Sequence, residues 1–275
     1  MSSSEATHWA PYTVRTRNFR ANSENKIHSD DVARQYGFAG ALVPGVAVYA
    51  HMVHPLVERF GEPWLRRAEA TVRLFKPAYD GDDLTISAAP ATSEPDAVEL
   101  TCRNQAGATL AQLSSQLPQT APVPNPLHTR RPAGPGERHP IAWDVVIPDQ
   151  PLRAFHWRPT REEALTWCDD TQDSSAIFSE GPTPPLQPGM MLQAANRVFA
   201  EHFVLGPWIH VSSRVVHHEL LRAGDAVEVR AVPLRKWEHK GHHFMELYVA
   251  MLNAGVLAQE VYHEAIFQVR RRDAA

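Results

Sequence analysis

Two stretches of this chain repeat one another at a fixed distance, and no other feature limits its fold as strongly. Val43-Pro44-Gly45 opens an apolar stretch that closes at Gly61-Glu62-Pro63-Trp64. Gln187-Pro188-Gly189 opens a second, which closes at Gly206-Pro207-Trp208. Pro44 and Pro188 lie 144 residues apart, and so do Trp64 and Trp208. Beyond them, Gly81-Asp82 answers Gly224-Asp225, and Asn104-Gln105-Ala106-Gly107 answers Asn253-Ala254-Gly255. Four correspondences in the same order, drifting by a few residues, are what a duplicated unit with small loop changes leaves behind. Two copies are too few for a solenoid.

Each copy has the same grammar. Val46, Tyr49, Val53, Leu56 and Phe60, with Val48 and Met52, recur at helical spacing. Met190, Met191, Ala194, Ala195, Val198, Phe199 and Phe203 do the same in the second copy. Both helices are apolar around much of their circumference, which predicts burial. Strands are predicted after the first helix at 71–75, 83–88, 97–104 and 109–117, and after the second at 211–218, 226–233, 243–253 and 256–268. The residues between them suit hairpin turns: Asp80-Gly81, Gln105-Ala106-Gly107, Lys240-Gly241 and Ala254-Gly255.

A buried helix followed by an antiparallel meander is an α+β unit. Two such units can place their sheets edge to edge and pair strands that would otherwise be exposed. Residues 117–140 carry seven prolines and read as an extended linker. The expected organisation is therefore an N-terminal unit, 1–117, a Pro-rich linker, 118–143, and a C-terminal unit, 144–275. Thr160-Arg161-Glu162-Glu163 has the form of a capping box and predicts a short helix through Trp167.

The rest of the composition narrows the class of partner. A hydrophobic content of 43% and a charged content of 21% suit a globular chain with a real core. The net charge of −4 gives no reason to expect nucleic acid or an anionic membrane. Cys102 and Cys168 have neither metal-type nor redox-type spacing, as expected in a reducing compartment. The first twelve residues lack the regions of a signal peptide, and no run approaches the roughly 18 apolar residues of a membrane span. A cytoplasmic protein is expected. Fifteen histidines invite a metal hypothesis, but His51 with His54, His217-His218 and His242-His243 join no acid or thiol at a ligand spacing. No metal and no nucleotide cofactor is expected, since no glycine-rich phosphate loop occurs.

Residues 22–45 read NSENKIHSDDVARQYGFAGALVPG. This segment resembles the signature of the MaoC-like dehydratases, the (R)-specific enoyl-CoA hydratase family. There an Asp-x-Asn-Pro-x-His run precedes an Ala-containing helix, a Gly-Phe turn and a Gly at the start of a central helix. Asn25, Ile27, His28, Ala33, Gly37, Phe38, Gly40 and Gly45 fit; Ser23 stands at the Asp position and Lys26 at the Pro position. The spacing from His28 to Gly37 is one residue short. The second copy keeps a remnant in residues 171–178, with Asp173 at the Asp position and Phe178 at the His position. The resemblance covers nearly the whole chain as architecture and about two dozen residues as a motif. It implies a double hot-dog: two fused units, each an antiparallel sheet wrapped around a long central helix.

Activity is likewise implied by the resemblance. Hydration of a 2-enoyl thioester, or dehydration of a 3-hydroxyacyl thioester, needs a base for water, an acid for the α-carbon and donors for an enolate-like oxygen. His28 is the candidate base, and Asn25 would orient water or support the turn. Ser23 and Glu24 stand where the missing acid belongs, with Asp30 and Asp31 more simply read as helix-start charges. Gly45, or its successor Val46, would offer a backbone N–H to the thioester oxygen, because Pro44 has none. The implied substrate is an acyl-CoA or acyl-carrier-protein thioester, and a homodimer of the pseudo-dimer is compatible with this reading. One rival is a hot-dog thioesterase using Glu24 or a nearby acid. The other is a non-catalytic acyl-thioester binder or partner subunit. A catalytic pair requires a carboxylate within hydrogen-bond reach of His28 in an apolar tunnel, whereas a binder requires only the tunnel. In related folds each Asp–His pair belongs to one unit, so Asp173 is not expected to join His28.

Overall fold

Both long apolar stretches are helices in the computed structural model, which describes residues 9–91 and 96–270. The run Arg270-Arg271-Arg272, expected from its charge to be a solvated tail, lies outside the described residues beyond Arg270. The first half runs β1 (Tyr12–Arg15), α1 (Asp30–Gln35), α2 (Gly45–Phe60), α3 (Glu62–Arg67), β2 (Glu69–Leu74), β3 (Asp83–Pro90), β4 (Ala97–Arg103) and β5 (Thr109–Gln116). Then come β6 (His139–Pro140), β7 (Phe155–Trp157), α4 (Arg161–Asp170), α5 (Pro188–His202) and β8 (Phe203–Val204). The chain closes with β9 (Ile209–His217), β10 (Val227–His239), β11 (His242–Asn253) and β12 (Val256–Gln268). No described helix is long and apolar enough to cross a membrane.

The two meanders form one sheet of ten described strands in the order β1-β3-β4-β5-β2-β9-β12-β11-β10-β7. Its seam is the antiparallel pair β2–β9, where Thr71 faces Arg214 and Val72 faces Ser213. Each unit thereby satisfies an edge that would otherwise stand open. Arg214 also reaches across the seam to Glu69 at 2.8 Å. The helices lie on one face, where α2 meets α5. Gly189 permits that approach: a Cβ there would stand 2.6 Å from the Ala50 Cβ and 2.8 Å from the Val46 carbonyl oxygen.

The two-residue period of the strands sorts side chains between the faces. In β11, Met245, Leu247, Val249 and Met251 join the main core with the helices. Tyr248, Ala250 and Leu252 face the other way and form a second cluster, against which Leu127 packs. Leu127 comes from the Pro-rich segment, so this segment is a strap rather than a bare spacer. The Asn125 N–H donates to Glu260 Oε1 at 2.9 Å and its amide to the Tyr262 hydroxyl at 2.9 Å, while β6 pairs in parallel with β8. That pairing draws the chain out of α5 after His202, short of the Gly206 stop expected from sequence. The Thr160 capping box forms as expected, and α4 continues to Asp170.

Candidate active site

The motif loop of the first half is held by one asparagine. Asn25 caps a short turn, Lys26–His28, by accepting the Ile27 N–H. Its amide also pairs with the backbone of Trp208, accepting the N–H at 3.2 Å and donating to the carbonyl at 3.0 Å. Asn25 therefore fastens the first-half motif to the second half just ahead of β9. Ser23 donates its hydroxyl to the Asn25 carbonyl at 3.2 Å. The Glu24 carboxylate is engaged by Arg138 from the strap.

His28 is oriented by a carbonyl. Its Nδ1 lies 2.7 Å from the Leu42 oxygen. A carbonyl can only accept, so Nδ1 carries the hydrogen and Nε2 presents a lone pair. Asn25 Nδ2 stands 3.4 Å from that Nε2. Burial pushes the imidazole pKa down, the Leu42 contact opposes this and Arg20 adds to it. The ring is accordingly neutral at pH 7. Among the described residues no carboxylate hydrogen-bonds it.

His28 lines a cavity of about 980 Å³ whose walls come from both halves, including Phe19, Leu74, Trp167, Met190 and Trp208. Gly45 is in the same wall. As the first residue of α2 its N–H has no intrahelical acceptor, and the helix dipole makes that end receptive to a partial negative charge. A Cβ on Gly45 would lie 2.5 Å from Leu74 Cδ1 and 2.9 Å from His210 Nδ1, so this backbone is closely approached. Val46, the other candidate donor, is fully buried and outside the cavity wall. Arg20 brings positive charge into the wall, with an Nε that is buried and has no partner among the described residues.

The second copy of this arrangement is closed. Phe178, at the histidine position, is buried in the main core. The Gly189 N–H, counterpart of Gly45, donates to Gln187 Oε1 at 2.6 Å. Asp173 lies outside the cavity wall and turns to His54, with Oδ1 2.9 Å from Nδ1, while Gln187 donates to its other oxygen at 3.2 Å. Its hydrogen bonds hold its carboxyl below the usual range although burial alone would raise it. Asp173 and His54 thus tie the second-half loop to α2. His54 on α2, and Trp208, Arg20 and His210 in the cavity wall, are functional-site neighbours that the motif does not contain. Among the three wall residues, only Trp208 is marked in the sequence, by the Trp64–Trp208 repeat.

No family model matches this sequence, and no curated protein matches it either. Solved structures do. A protein provisionally named a MaoC domain dehydratase, from Chloroflexus aurantiacus J-10-fl, superposes with a TM-score of 0.66 at 11% identity over 95% of this chain and 94% of its own. Rv0216 of Mycobacterium tuberculosis, described as having a double hotdog fold, gives 0.62 at 12% identity over 94% and 96%. The chain is a double hot-dog protein. Another solved structure, provisionally named an oleoyl thioesterase, from Lactobacillus plantarum, gives 0.55 at 11% identity over 97% and 98%. At these identities the double hot-dog fold is what is shared, and one fold can host several chemistries.

Proposed function

We propose that this double hot-dog protein is an acyl-thioester hydratase or dehydratase, acting between a 2-enoyl and a 3-hydroxyacyl thioester. The observation that carries the reading is the pairing in one largely apolar cavity of a neutral His28, its Nε2 lone pair unprotonated, with the first N–H of α2 at Gly45. The cavity's size and apolar walls suit an acyl chain. Water held near His28 would give a proton to Nε2 as its oxygen bonds to C3. The double-bond electrons would move onto the thioester oxygen beside the Gly45 N–H. The proton taken by His28 is then available to C2, which completes the addition and returns the ring to neutrality. In this scheme Asn25 holds the loop against Trp208, and Ser23 supports Asn25. Glu24 pairs with Arg138 and has no part in proton transfer.

A second reading, a non-catalytic acyl-thioester binder, is favoured by one observation: no described carboxylate hydrogen-bonds His28. The deciding experiment incubates the purified protein with trans-2-enoyl-CoAs of several chain lengths, following double-bond loss and free thiol together. Double-bond loss without thiol, abolished by His28→Ala, is the expected result. Thiol release would move the protein to the thioesterases. Binding without either signal would leave the binder.

A further inference from the structure

Beside Gly45 the cavity wall holds a histidine that the motif does not contain. His210, in β9, is 7% exposed, and its Nδ1 has no partner among the described residues. That atom would be 2.9 Å from a Cβ on Gly45, which places it next to the first turn of α2. The far side of the ring is tied down. His210 Nε2 is 2.8 Å from Ser213 Oγ, and Ser213 Oγ is 2.9 Å from His263 Nδ1. His263 Nε2, at the end of this chain, also lacks a partner, in a residue that is fully buried and outside the cavity wall.

The Ser213 hydroxyl has one hydrogen and two lone pairs; accepting from both rings would leave that hydrogen without an acceptor among the described residues, so it donates to one ring and accepts from the other. Burial keeps both rings neutral, lowering His210 to about 4 although the Ser212 backbone opposes it, and depressing His263, which could not be charged beside a charged His210. Each neutral ring carries one N–H, which leaves two arrangements. In one, His210 Nδ1 is bare and the sealed His263 Nε2 carries an orphan N–H. In the other, the His263 atom is only an unused lone pair, and the N–H is at His210 Nδ1, itself buried but beside Gly45 in a residue of the cavity wall. A buried N–H without an acceptor is rarer and costlier than an idle lone pair. The second arrangement is therefore preferred, because His210 belongs to the cavity wall, where a bound ligand can bring an acceptor, and His263 does not.

We propose that His210 Nδ1–H is a catalytic hydrogen-bond donor to the thioester carbonyl oxygen, the partner of the Gly45 N–H in a two-donor oxyanion site. The proposal rests on the acyl-thioester reading and adds to it a substrate-touching residue from the other half of the molecule. No proton leaves His210. As a neutral donor it strengthens as charge builds on the oxygen, which is the condition for lowering a barrier.

The test compares butyryl-CoA with butyl-CoA, the thioether in which two hydrogens replace the carbonyl oxygen. Wild-type protein is expected to bind the ester about a hundredfold more tightly, the scale of two hydrogen bonds. His210→Phe is expected to cut that preference about tenfold, leaving the share of the Gly45 N–H, and to lower kcat on crotonyl-CoA by about 10²–10³. His210→Asn, whose amide nitrogen reaches the Nδ1 position, is expected to restore part of both. If His210→Phe does not fold, histidine ¹⁵N spectra of the wild type decide. A protonated Nδ1 that shifts with butyryl-CoA and not with butyl-CoA supports the assignment, and a bare Nδ1 overturns it. An ester preference undiminished in His210→Phe also overturns it, while leaving the acyl-thioester reading intact. A wild type that binds neither ligand defeats that reading itself.

Discussion

His28 draws its reactivity from two neighbours that have no charge. The Leu42 carbonyl selects its tautomer and burial keeps it unprotonated. Under the proposed function, His28→Ala should lower kcat by about 10²–10⁴ with the fold retained, as read by steady-state kinetics and circular dichroism. Because its pKa is depressed, kcat/KM should rise along an acid limb centred below pH 6.5 and be level by neutrality. A limb centred above 6.5 would show that a different group is titrating. Asp173, although it is the better match to the motif's acid, bonds to His54 and Gln187 instead. Asp173→Asn should therefore cost about 1–3 kcal/mol in urea unfolding through loss of a buried charged acceptor, yet leave turnover near wild type. Asn25 and His28 could be recognised in the sequence because a local turn brings them together. The Asp173–His54 contact spans 119 residues, and nothing local announces it.

At the level of elements, the duplicated helices show how two equal starts diverge. Gly45 and Gly189 occupy matching positions, but Gly45 borders the cavity and Gly189 is not in its wall. Gly189 is pressed against α2, and its N–H is capped by Gln187. Gly189→Ala should destabilise the protein by about 1–3 kcal/mol, since neither the Ala50 Cβ nor the Val46 carbonyl can easily move away. Gly45→Ala displaces a flexible Leu74 end and the His210 ring, so it should impair turnover more than stability; paired unfolding and kinetic measurements separate the two effects. Helix positions and the long strands follow from periodicity, which is a local property. The short strands β1 and β7 were not anticipated, because a strand of three or four residues carries too little alternation to read.

For the whole molecule, the sheared acid side of stability should be prominent. Burial, the largest cause, depresses His51 and His210 to about 4 and His217 to about 3. Below their ordinary value of 6.5 the unfolded chain takes up protons that the folded chain refuses. Stability should thus be full above about pH 6.5 and fall as pH drops toward 4, each pKa unit of depression being worth about 1.4 kcal/mol. Urea midpoints measured from pH 7.5 to 4.5 check this; a flat profile would contradict the buried neutral rings. The sequence by itself determined the duplication, the α+β content, the paired central helices and one motif, because these rest on spacing within a few turns or strands. Tertiary structure alone decided that the β2–β9 seam brings β9 against the start of α2, that His210 joins the cavity wall beside Gly45, and that the second-half counterpart is filled. The physical reason is that a cavity is space left between packed elements: spacing along the chain says which faces are apolar, and only the docking of α2, α5 and the sheet says where they fail to meet.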